Sequence, residues 1–94
     1  MVHFEWDAAK SLSNQWKHGV DFATAAEVFR DPRRRVLADL KHSAQERRFF
    51  CIAKVEGRIL TVRFVYRGDV IRILGAGYWR KGREIYEKEK KDRS

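Results

Sequence analysis

Residues 48–74 read RFFCIAKVEGRILTVRFVYRGDVIRIL, three apolar segments broken by Glu56-Gly57 and by Arg67-Gly68-Asp69. Their β-branched and aromatic content predicts strands over Arg48–Val55, Arg58–Tyr66 and Val70–Leu74. Glu56-Gly57 is short enough for a tight hairpin turn, with Arg58 either in the turn or opening the next strand. Sequential hairpin-linked strands predict an antiparallel meander with helices packed on one side and the other side partly open. Alternation then sorts the side chains. Leu60, Val62, Phe64 and Tyr66 share one face of their strand, and Thr61, Arg63, Val65 and Arg67 share the other. Val70, Arg72 and Leu74 oppose Ile71 and Ile73, and Lys54 sits with Phe50 and Ile52. How these faces align between strands depends on register, which the sequence leaves open.

Upstream, Val2-His3-Phe4-Glu5-Trp6 alternates as a short strand. Asp7 is placed to cap a helix through about Lys17, with Ala9, Leu12 and Trp16 on one face and Gly19 at its stop. Asp21 caps a second helix whose stripe is Phe22, Ala25, Ala26 and Phe29. Val20 is spaced to staple onto Ala25, and Asp31-Pro32 ends the helix. Arg35-Val36-Leu37 forms a brief strand before the polar segment 39–45. A charged helix over about 81–90 closes the chain, with only Ile85 and Tyr86 as apolar company, so weak docking is expected of it. The expected fold is α+β: an antiparallel sheet, two N-terminal helices packed on it and a short C-terminal helix, all in one domain spanning residues 1–94.

Lys and Arg number 21 against 13 Asp and Glu, a net charge of +8 that so small a core must leave on the surface. That field favours polyanions, nucleic acid first, although an acidic protein would feel it too. The single cysteine, Cys51, lies between Phe50 and Ile52; it excludes an internal disulfide or a multi-thiolate metal site and reads as a buried structural thiol. The three histidines form no ligand cluster, and Gly75-Ala76-Gly77 lacks the spacing of a dinucleotide loop, so neither metal nor nucleotide cofactor is expected. No signal peptide or apolar run near the roughly 18 residues of a membrane span is present, as expected of a cytoplasmic protein without membrane contact.

For RNA cleavage, the 2′-hydroxyl can serve as nucleophile. The protein then supplies a base, cations around the phosphoryl oxygens and help for the leaving oxygen. His42 is a candidate acid or base because imidazoles titrate near pH ~6.5. Glu46 follows four residues on, with Arg47 and Arg48 beside it. Lys54, Arg63 and Arg72 are candidate phosphate contacts, Arg through its planar fork. Tyr78 is a proton-donor or stacking candidate, and Trp79 a stacking one. His18 reads instead as a cation at a helix end.

Phe4-Glu5-Trp6-Asp7 with Lys10, Asn14 and Lys17-His18-Gly19-Val20 resembles the BrnT toxin family of bacterial toxin–antitoxin systems. The likeness continues through Ala25-Ala26-Glu27-Val28-Phe29, Asp31-Pro32, His42-Ser43, Glu46-Arg47-Arg48, Arg67-Gly68-Asp69, Arg72-Ile73 and Arg83-Glu84-Ile85-Tyr86-Glu87. The resemblance implies a RelE-like ribonuclease fold, inhibition of translation by RNA cleavage, and a cognate BrnA-like antitoxin through which the complex binds operator DNA. It raises Arg72 and residues 42–48 as site candidates. Family members often carry Ser-Ala-Arg after the last strand, where this chain has Gly75-Ala76-Gly77; Arg80 or Lys81 from the next turn are the candidate replacements for the missing charge. The expected mechanism is metal-independent: Arg72, with Lys54 or Arg63, orients the phosphate, His42 or Glu46 takes the 2′-proton, and a cation or Tyr78 assists the leaving oxygen. The alternative is a non-catalytic module that binds nucleic acid or antitoxin.

Overall fold

The structure, a computed structural model, describes residues 2–92. Its elements are β1 (His3–Glu5), α1 (Ala8–His18), α2 (Phe22–Ala25) running into a 3-10 turn (Ala26–Arg30), and β2 (Arg35–Asp39) with a second 3-10 turn (Leu40–His42). After these come β3 (Arg48–Val55), β4 (Arg58–Arg67), β5 (Val70–Gly77) and α3 (Arg80–Asp92). The sheet order is β1-β5-β4-β3-β2, with β2 to β5 antiparallel and β1 parallel to β5. The sheet is therefore mixed, not antiparallel as expected. The first strand pairs with the last, His3 opposite Val70, a partner that a three-residue strand does not advertise.

Local signals set the turns. Glu56 and Gly57 have φ values of 51° and 80°, the doubly positive pair of a type I′ hairpin, and Arg58 opens β4. Asp7 accepts from the Lys10 N–H at 3.1 Å and Asp21 from the Thr24 N–H at 2.8 Å, capping both N-terminal helices. Gly19, at φ 75°, closes α1. Between Arg63 and Phe64 the register with β5 slips by one, so that Leu74 is a bulge, and β5 runs on to Gly77, past the expected end at Leu74.

The core lies between α1–α2 and one sheet face, where Val20, Phe22, Ala25 and Val28 meet Cys51, Ala53, Leu60, Val62, Phe64 and Ile73. Burial pushes the Cys51 thiol up to about 12, so it is an inert packing group. Two side chains complete strand edges that no strand covers. Buried Asn14 donates to the Ala76 carbonyl and accepts from the Ala76 N–H on β5, and Asp31 accepts from the Lys54 N–H on β3.

The C-terminal helix departs from expectation twice. It packs on the opposite sheet face, with Gly82 against Thr61 and Ile52, so the helices do not share one side. It also docks firmly: Tyr86 is buried and donates to Asp31 at 2.6 Å. Gly82 permits the close approach, since a Cβ there would overlap the Thr61 hydroxyl. Docking by a missing side chain and one hydroxyl leaves no apolar stripe to read.

Candidate active site

Register assembles a row of polar residues on the face away from α1. Arg72 on β5 pairs with Val65 on β4 and with Glu5 on β1. Because Phe49 opposes Phe64, the next residue of β3, Arg48, comes level with Val65, and Arg48 itself pairs with Asp39 on β2. Glu5, Arg72, Val65, Arg48 and Asp39 thus cross all five strands in line. With strands about 4.8 Å apart, the backbones of Arg72 and Arg48 are roughly 10 Å apart. Two guanidiniums on flexible stems can meet above Val65 at that separation. Arg72 leans to Glu5, with nitrogen and oxygen 3.5 Å apart.

Asp39 anchors the end of the row. Its side chain is only 5% exposed, and its carboxylate oxygens lie 3.0 and 3.2 Å from His42 Nδ1, whereas His42 is 54% exposed. A carboxylate only accepts, so Nδ1 carries a proton, and in the neutral imidazole Nε2 is then the acceptor. Ser43 braces the loop by donating to the Asp39 carbonyl at 2.6 Å and accepting from the Arg48 N–H at 3.0 Å. Glu46 receives the Arg67 guanidinium at 3.2 Å, one row outward.

Behind this row lie Leu37, Phe50, Arg63 and Gly75, paired across β2 to β5. The Arg63 guanidinium lies over Gly75, where a Cβ would come within 3.0 Å of Nη2. Its Nε is buried without a hydrogen-bond partner among the described residues. Gly75 therefore makes room for a cation from the neighbouring strand. Gly77 does the same for the Trp79 ring, which also meets the His18 ring at 5.5 Å.

The structure thus aligns Arg72 and Arg48 in one row and holds His42 on Asp39 at its β2 end, three strand spacings or roughly 14 Å from Arg72, with Arg63 one row in and Glu46 at the rim. It does not gather the rest. Arg47 stacks on Phe49 at 5.7 Å, on the opposite face. Tyr78 lies beyond the end of β5, roughly 18 Å along the strand from Arg72. Its ring is covered by Arg58 at 3.6 Å. Lys54 is at the hairpin end, Lys81 is exposed on α3, and exposed Arg80 pairs with Glu84 at 3.3 Å. Asp39 and Glu5 were not foreseen; the three-residue lead of Asp39 on His42 was the available signal. Among the described residues, no three His, Cys, Asp or Glu side chains gather as a metal site.

A family model for the ribonuclease toxin BrnT of type II toxin–antitoxin systems matches residues 6–82. The chain belongs to this family. No curated protein matches it. Membership in the BrnT family makes the chain a ribonuclease toxin whose partner is a protein antitoxin. The BrnT match spans the whole polar row except Glu5. Among the described residues, no helix is long and apolar enough to cross a membrane.

Proposed function

We propose that the row from Arg72 to His42 is the catalytic centre of a metal-independent endoribonuclease that uses the substrate's own 2′-hydroxyl. His42 Nε2, turned outward because Asp39 holds Nδ1, takes the 2′-proton. The 2′-oxygen forms a bond to phosphorus and the P–O5′ bond breaks. The products are a 2′,3′-cyclic phosphate and a 5′-hydroxyl, whose proton comes from solvent water. Arg72 and Arg48 flank the phosphate and share its developing charge, with Arg63 behind them; removing one such donor typically costs about a hundred- to thousandfold. Glu46 is the lesser base because Arg67 already neutralises it. Tyr78 is too distant to take part.

The observation that carries this reading is the level alignment of Arg72, Arg48 and the Asp39–His42 pair on the sheet face away from α1. The wider reading is that the fold is RelE-like, that cleavage in the cytoplasm inhibits translation, and that a BrnA-like antitoxin neutralises the toxin and carries the complex to operator DNA. Its support is the family match alone.

Incubation of the purified chain with defined RNAs in EDTA tests the chemistry. Cyclic phosphate ends are expected, with loss of about a hundredfold or more in folded Arg72→Ala. Ends bearing a 3′-hydroxyl, or cleavage that requires added divalent cation, would refute it.

A further inference from the structure

The far end of the same sheet face, beyond α3, holds a cleft of about 980 Å³ between the β3–β4 hairpin and the helix. That volume is at the upper end of small-molecule sites. Ile59, on its floor, is six residues along β4 from Val65, so the cleft lies roughly 20 Å from the catalytic row. Lys54, Arg58 and Arg83 contribute positive charge to the lining, and among the described residues no carboxylate pairs with any of them. Of the acids in the lining, Glu84 is held by Arg80, and Glu87 is the adverse charge.

Arg58 is the distinctive element. Its guanidinium lies 3.6 Å from the Tyr78 ring centroid, and Tyr78 itself packs against the core. At that distance the ring backs the guanidinium, and because Arg58 is exposed the group keeps access to solvent for a further flat partner. A nucleobase stacks on such a plane while Lys54 and Arg83 are available to the adjoining phosphates. An acidic peptide would use the charges and leave the plane idle.

We propose that this cleft is a flanking-nucleotide subsite, stacking a base of single-stranded RNA on Arg58 while the chain continues to the catalytic row. This rests on the ribonuclease reading for the direction of the strand, but its test does not depend on cleavage. The probes are 2′-O-methyl RNAs, which lack the nucleophile, lengthened one nucleotide at a time on either side of a fixed dinucleotide and measured by fluorescence anisotropy. Affinity is expected to rise about tenfold at one length, on one side only. Arg58→Ala should erase that step while leaving affinity for the short probe unchanged. Arg58→Lys, which keeps charge but not the plane, should restore less than half of it. A step of unchanged size in Arg58→Ala overturns the subsite. So does equal loss for short and long probes, or an acidic peptide whose binding Arg58→Ala abolishes while RNA affinity stays the same. A step that Arg58→Ala erases, in a protein that cuts no unmodified RNA, upholds the subsite and rejects the catalytic reading instead.

Discussion

Asn14→Ala removes an amide that stands in for a missing strand. The side chain donates to the Val20 and Ala76 carbonyls, both at 2.9 Å, and accepts from the Ala76 N–H at 3.2 Å. The site is buried, so truncation orphans one N–H and two carbonyls, each costing about 1–3 kcal/mol if water does not reach it. Carbonyls tolerate neglect better than N–H groups, which places the total at roughly 3–5 kcal/mol. A small domain has about 5–15 kcal/mol in all, so the variant should be marginal. With a urea slope of about 1 kcal/mol/M, the unfolding midpoint should fall by roughly 3–5 M at unchanged slope. Asn14→Asp should be at least as damaging at pH 7, because a carboxylate oxygen would replace the donor that faces two carbonyls. A loss below about 1 kcal/mol in Asn14→Ala would show that the amide is not completing the β5 edge.

Tyr86→Phe removes a hydrogen bond to a charged partner and should cost about 1.5–3 kcal/mol by urea unfolding at neutral pH. Burial, then the bond to Asp31, pushes the Tyr86 pKa up to about 12 from the ordinary tyrosine value of 10. The stabilisation is therefore present below pH 10 and lost as pH rises through 12, and the Phe variant should lack that alkaline limb. Burial alone would raise the Asp31 pKa, but bonds from the Lys54 N–H, Tyr86 hydroxyl and Arg33 N–H outweigh it and hold the carboxyl below its ordinary value. That contribution is present above the unfolded carboxyl value and is lost as pH falls through the folded one, so Asp31→Asn should flatten part of the acid limb of stability. Gly82→Ala drives a methyl into Thr61 and should cost about 1–3 kcal/mol, with native-state proteolysis opening first at α3.

Much of the fold was legible because its signals are local. The two-residue Glu56-Gly57 turn, the Asp7 and Asp21 caps and the alternation of Leu60 to Arg67 each depend on a few adjacent residues. The parallel pairing of β1 was not legible, since His3-Phe4-Glu5 carries no mark of a partner in residues 70–72. The seat of α3 was hidden for another reason: Gly82 and the Tyr86 hydroxyl fix it, and neither registers as hydrophobic patterning. In the site, His42, Arg48 and Arg72 stood out by residue type, but their alignment is a matter of register across four strands. Tyr78 looked available because β5 was expected to end at Leu74; the bulge and the continuation to Gly77 carry it away. Gly75 looked like a lost side chain, whereas it makes the space that Arg63 fills. The resemblance to BrnT toxins drew on all these scattered residues at once and is matched by the family model.

The most direct measurement is the pH dependence of single-turnover RNA cleavage by the wild-type chain and by folded His42→Gln. The wild type should show a limb rising with pH as one group loses its proton, and the variant should be slower by about a hundredfold or more with that limb gone. A His42→Gln variant that keeps the wild-type limb would contradict the assignment of the proton acceptor to the end of the Arg72 row.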